Sequence, residues 1–170
     1  MKIKTEFGLA RLSAVLLVLM TALLGSADAQ DEPRDRSIAG VWIVSISPKN
    51  CVTNNPVPGA EFESLWTFEK DGTMSVWVQN ATITTTRSPS HGVWRKEQGS
   101  KGYSFKFIHL RYGLGSGVYL GQQEALGILA LNDPGDEFVS DSSNRVFDIN
   151  GTQIGGGCAD GYGTRYELDQ

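Results

Sequence analysis

Only two histidines and two cysteines occur among the 170 residues, and they stand far apart in the chain. His91 and His109 form no His-x-x-x-His or His-x-His pair, and Cys51 and Cys158 form no Cys-x-x-Cys motif, so the spacings of zinc and dithiol redox sites are missing and no metal is expected. No basic cluster is present and the formal net charge is −4, which argues against nucleic acid as a partner. The longest apolar run, Leu12 to Leu24, is about 13 residues, short of the roughly 20 that cross a bilayer as a helix. Gly113-Leu114-Gly115-Ser116-Gly117 is not a nucleophile elbow, because Leu114 stands where that motif requires glycine. Nor does it read as a phosphate loop, since a strand pattern follows it where a helix N-terminus is needed. Asp148-Ile149-Asn150-Gly151 lacks the remaining ligands of a calcium-binding loop. No nucleophile, metal or cofactor signature is left, so no cofactor is expected and an enzyme is the less favoured class.

The N-terminus carries a positive signal. Lys2, Lys4 and Arg11 precede the apolar run, which ends in Ala27-Asp28-Ala29, the small-x-small pattern of a secretory cleavage site. The expected organisation is a signal peptide over 1–29, a flexible charged leader over 30–37 and one domain over 38–170. The protein is then exported, to the periplasm or outside the cell, with no membrane attachment after cleavage. The signal takes three basic residues (Lys2, Lys4, Arg11) and two acidic ones (Glu6, Asp28), leaving a mature chain that is mildly acidic. A retained N-terminal helix is the alternative.

After Ala29 no helical period is found, and the pattern is strand after strand. Phe62, Trp66 and Phe68 share one face of a segment whose other face carries Glu61, Glu63 and Glu69. Lys70-Asp71-Gly72 is a hairpin signal, and Met74, Val76 and Val78 align on the returning strand. Further strands are expected over His91–Glu97, Tyr103–Tyr112, Val118–Leu131, Asp136–Ile149 with a bulge, and Tyr162–Leu168. Asn80 to Ser90 reads as a polar loop, and Asn150-Gly151 is the strongest short turn in the chain. About eight strands in sequential hairpins predict an all-β, antiparallel up-and-down barrel, with a sandwich as the alternative.

The two cysteines test closure. In an oxidising compartment they are expected to form one disulfide. Cys51 falls just past the first strand and Cys158 just before the last. Closure pairs those strands antiparallel and brings the two points together, whereas an open sheet holds them at opposite edges, beyond the roughly 4.4–6.8 Å that a disulfide spans.

Gly40-Val41-Trp42 on the first strand and Gly163-Thr164-Arg165-Tyr166 on the last resemble the lipocalins and the wider calycin group. That resemblance implies a structural role for Trp42 as the barrel floor, with Arg165 lying across its indole. The chain departs from lipocalins in lacking a C-terminal helix and a Thr-Asp-Tyr-type second motif. It also resembles exported bacterial barrels with a His-Gly-x-Trp segment, here His91 to Trp94.

The resemblance implies a small, mainly apolar ligand. The candidate ligand-binding residues are Trp66, Phe68, Phe105, Phe107 and His109, with Gln122 and Glu124, which interrupt the apolar row of Leu120, Leu126 and Ile128. If that row faces inward, the two polar side chains need partners; if a bulge reverses the register, they face solvent. Three functions stay open: a small-molecule binding barrel, a solid barrel with a structural or protein-binding role, and an isomerase-type enzyme using His109 and Glu124. A closed interior too small for a ligand, roughly under 100 Å³ against about 300–1,000 Å³ for typical sites, eliminates the first.

Overall fold

The computed structural model describes residues 37–78 and 85–167, built from nine strands. In chain order these are β1 (Gly40–Lys49), β2 (Phe62–Phe68), β3 (Thr73–Val78), β4 (Thr85–Arg87), β5 (Ser90–Lys96), β6 (Gly102–Gly113), β7 (Tyr119–Leu131), β8 (Glu137–Phe147) and β9 (Gln153–Arg165). Every pairing is antiparallel. β1 pairs with both β2 and β9, and the β6–β7 pairing completes the ring, giving a closed barrel of eight strands. β4 adds no ninth stave: it pairs with β6 beyond the end of β5, as a continuation of the same side. The segments expected from the sequence as a signal peptide (1–29) and, but for residue 37, as a charged leader (30–37) lie outside the described residues.

The alternation read from the sequence of β2 and β3 holds, and β1 follows the same rule. Trp42, Val44 and Ile46, then Trp66 and Phe68, then Met74, Val76 and Val78 all point into the core. Tyr103, Phe105, Leu129, Leu131 and Phe138 complete it. The aromatic rings interlock: Trp42 and Phe138 lie 4.9 Å apart, Trp66 and Phe105 5.0 Å, and Trp94 and Tyr103 5.6 Å, in the tilted and edge-on contacts that aromatic rings favour. Small residues on facing strands make room for them. A Cβ on Gly127 would stand 2.8 Å from the Phe105 ring and one on Gly92 2.6 Å from the Phe107 Cβ.

One end of the barrel is closed by Trp42 and Arg165. The guanidinium carbon sits 4.3 Å from the indole centroid, while its nitrogens donate to the carbonyls of Gly135, Ala39 and Ser37 at 2.7, 2.8 and 2.6 Å. The indole Nε1 donates to the Ile38 carbonyl at 2.9 Å, so the N-terminal turn is tied beneath the floor. Gly40 adopts φ 137°, and Arg165 Nη1 passes 2.7 Å from where its Cβ would stand, which gives the glycine of Gly-x-Trp a physical reason.

The disulfide Cys51–Cys158 is formed, with the two Cα atoms 5.2 Å apart, near the end of the barrel opposite Trp42. Two strand expectations are corrected. The last strand begins at Gln153 rather than Tyr162, so Cys158 lies within β9, opposite Lys49. The expected polar loop contains β4, which holds its place by pairing with Arg111 to Gly113.

Outward positions of the wall include Glu63, Lys106, Glu124, Asp141, Arg145 and Asp160 beside the exposed apolar residues Ile43, Leu65, Trp77, Val93, Ile128 and Val139. On that wall Asp141 and Asp160 stand directly opposite each other, and Lys49 Nζ bridges them at 3.1 and 2.6 Å. Hydrogen bonds to Asp160 and then Asp141 hold the Lys49 ammonium above its usual pKa. Among the described residues, no helix is long and apolar enough to cross a membrane.

Candidate functional site

The aromatic core fills the Trp42 end and leaves a cavity of about 80 Å³ toward the other end. Its apolar side is formed by Ile46, Phe62, Trp66, Val76, Phe105 and Phe107, and its polar side by Arg87, His109, Gln123, Ser142 and Asn144. At roughly 30 Å³ per water, two or three waters would fill it. Typical small-molecule sites run to about 300–1,000 Å³, so an enclosed apolar ligand of ordinary size does not fit.

The polar side is built on the second half of β6 and its neighbours. His109 continues the inward row of Tyr103, Phe105 and Phe107 and is buried at 4 % exposure. Its cross-strand partner on β7 is Gln123, whose side chain hydrogen-bonds the ring. On the other side Ser90 Oγ stands 3.5 Å from Nδ1, the outer limit of a hydrogen bond. Burial, then the charges of Arg87 and Arg111, push the His109 pKa down to about 4, so the ring is neutral near pH 7. The hydroxyls nearby are engaged. Ser64 Oγ donates to the Trp77 carbonyl and accepts from Trp66 Nε1, both at 2.9 Å, and Ser142 Oγ donates to the Ala159 carbonyl at 3.1 Å.

Arg87 reaches this site through an irregularity. Ser90 and Arg87 both face inward although they are three positions apart, an odd step that in a regular strand puts them on opposite faces. On β6 the matching step, His109 to Arg111, is two. The extra residue is taken up at Ser88-Pro89, a bulge of one residue. Pro89 has no N–H to give the ladder, and Ser88 bridges the gap: its N–H donates to the Leu110 carbonyl and its Oγ accepts from the Leu110 N–H, each at 3.0 Å. The bulge turns Arg87 into the barrel, directly opposite Arg111.

Trp66, Phe105, Phe107 and His109 therefore line the cavity as expected from the sequence, whereas three other candidates do not. Phe68 is 1 % exposed and packs in the floor against Trp94 and Phe138. Gln122 and Glu124 lie on the outer wall, with Leu126 and Ile128. Glu124 is held there by Arg145 at 2.9 Å and Lys106 at 3.2 Å. It is the other parity of β7, with Gln123, Ala125 and Gly127, that faces inward. The His109/Glu124 acid–base pair consequently does not form, since the wall of the barrel separates the two side chains. Arg87, Gln123 and Asn144 were not singled out from sequence; Pro89 breaking a strand pattern is the one signal of the bulge.

Among the described residues no group of three or more His, Cys, Asp or Glu side chains is placed to hold a metal. A larger recess, about 670 Å³, lies against the outer wall beside Ile128, Val139 and Tyr162, but its Asp141 and Asp160 are bridged by Lys49. No family model matches the chain, and no curated protein matches it either.

Proposed function

We propose that the protein is an exported binding barrel that takes a small molecule at the end opposite Trp42. The observation that carries this reading is the position of the unfilled volume: it lies where an aromatic floor meets Arg87, His109, Gln123 and Asn144, rather than at random in the core. A mixed cavity of this kind, apolar on one side with a few convergent polar groups, is the usual make-up of a small-ligand site. With about 80 Å³ available, the ligand is small or inserts only its head, the apolar remainder lying toward Phe62 at the rim. The contact of Arg165 with Trp42 supports a likeness to the calycin barrels. Export is supported by the basic flank, the apolar run and Ala27-Asp28-Ala29, and by a disulfide of the sort kept in oxidising compartments.

Native mass spectrometry of protein purified from the exported fraction of its own host tests the reading. A retained small molecule, on a chain beginning at Gln30, is the expected result. A ligand-free mass, with no thermal shift from any small organic probe, contradicts it.

The tight interior favours one other reading, a solid barrel that binds protein through its wall. Ile43, Leu65 and Trp77 lie directly opposite one another across β1, β2 and β3 and are 40, 45 and 56 % exposed. Loss of association on Trp77→Ser, with no small-molecule binding, distinguishes it.

A further inference from the structure

On the polar side of the cavity, the amide of Asn144 is the side chain with no hydrogen-bond partner among the described residues. Its cross-strand partners are Ala125 on β7 and Gly157 on β9, both too small to cover it, and a Cβ on Gly157 would stand 3.3 Å from Asn144 Nδ2. The inward residue of β7 next to Ala125 is Gln123, diagonal to Asn144 across the β7–β8 ladder and within reach of a long side chain. The bond between Gln123 and His109 favours the protonated ring, so the Gln123 amide oxygen accepts it and its N–H donors stay available. The hydroxyls of Ser64 and Ser142 are committed to backbone carbonyls, and Arg87, the only charged lining residue among those described, has a partner of its own. The cavity therefore offers an occupant an acceptor and N–H donors on neutral amides, facing an apolar side of Ile46, Phe62 and Phe107.

We propose that the cavity takes the hydroxyl head of a neutral aliphatic molecule: the hydroxyl donates to the Asn144 amide oxygen, accepts from the Gln123 amide, and leaves its first carbons against Ile46, Phe62 and Phe107. This rests on the reading of the barrel as a small-molecule binder. Water has the same hydrogen-bonding capacity, but a buried water needs about two to four polar partners. The apolar side supplies none besides the Trp66 indole N–H, already bonded to Ser64. An alcohol matches both sides. A cationic head would meet no carboxylate among the described lining residues and would approach Arg87. An anionic head would give up its hydration for neutral amides, with Arg87 already partnered. An ether oxygen accepts but cannot donate, which leaves the Asn144 oxygen unmet. At roughly 30 Å³ per water-sized group, about 80 Å³ holds the hydroxyl and the first carbons, the rest of the chain emerging at the rim.

The test is protein-observed NMR titration of the full mature protein, disulfide intact, with four probes of similar length: hexan-1-ol, its isomer 1-methoxypentane, hexylammonium and hexanoate. Hexan-1-ol should bind one per chain, at least about fivefold more tightly than the ether and about tenfold more tightly than either ion. Asn144→Leu should bring hexan-1-ol and the ether to within about twofold of each other. Asn144→Asp, which keeps the shape and adds a negative charge, should raise hexylammonium affinity at least about tenfold, and serves as the variant if Asn144→Leu does not fold. The ether binding as tightly as hexan-1-ol, either ion binding more tightly, or unchanged selectivity in a folded Asn144 variant overturns the hydroxyl assignment while leaving a small-molecule barrel standing. Saturable binding of none of the four probes overturns both.

Discussion

Arg165 lies 4.3 Å over the Trp42 indole, and its guanidinium donates to three backbone carbonyls, those of Ser37, Ala39 and Gly135. The side chain therefore joins three pieces of chain at the closed end: the segment before β1, the β7–β8 turn and β9 itself. Its removal would leave those carbonyls short of donors and the face of the indole uncovered. Arg165→Ala should lower unfolding free energy by about 2–4 kcal/mol, and Trp42→Ala by about 3–5 kcal/mol. Urea denaturation followed by Trp fluorescence for the first variant, and by circular dichroism for the second, measures both. Losses below about 1 kcal/mol would show that the closed end is not held in this way.

The Cys51–Cys158 bond joins the end of β1 to β9, closing a loop that spans most of the barrel. Reduction, or replacement of both cysteines by serine, should cost about 2–5 kcal/mol without changing the fold, since the β1–β9 ladder is independent of the bond. Non-reducing peptide mapping should show the linked pair. Two alkylatable thiols in the exported protein would contradict it.

His109 gives the protein an acid-side weakness. Its folded pKa of about 4 lies below the ordinary 6.5, so the unfolded chain takes up the proton first as pH falls. The contribution of the neutral buried ring is fully present above pH 6.5 and is lost progressively between about 6.5 and 4. Urea midpoints measured across that range should decline in the native protein and decline less in His109→Gln. Equal slopes would mean that His109 is not the group responsible.

Glu124 serves as a control for strand register. Because it faces outward between Lys106 and Arg145, Glu124→Gln should change stability by no more than about 1 kcal/mol and leave probe binding untouched. Gln123→Leu, one residue away, should weaken binding by removing the side chain that meets His109. The reverse pattern in titrations would place the other face of β7 inside.

Where inward positions were an unbroken large apolar row, as at Met74, Val76 and Val78 on β3, the sequence pattern was enough to set the faces even with Trp77 on the outer side. β7 reads backwards for a physical reason. Between Gly121 and Gly127 its inner face carries no large apolar residue because Phe105 and Phe107 of β6 already occupy that space, so Leu126 and Ile128 are left outside and large apolar residues turn inward only at Leu129 and Leu131. Hydrophobicity alone then marks the wrong side. β9 was read short because Gly155, Gly156, Gly157, Gly161 and Gly163 give no alternation to follow; a Cβ on Gly163 would run into the Phe138 ring. Arg87 was missed because one extra residue at Ser88-Pro89 reverses the parity of everything before it, and no side-chain pattern announces a bulge. The cysteine positions carried closure because a disulfide is a distance constraint and does not depend on register.

The chain's two histidines allow the most direct measurement of the central claim. His109 is buried beside the cavity, while His91, on the opposite face of the same wall, points to solvent. Ring resonances of both can be followed by heteronuclear NMR while hexan-1-ol, a small neutral organic probe, is added at constant pH 7. The His109 signals should move saturably while those of His91 stay fixed. Signals that stay fixed at both rings, or that drift together without saturation, would contradict a ligand site in the barrel.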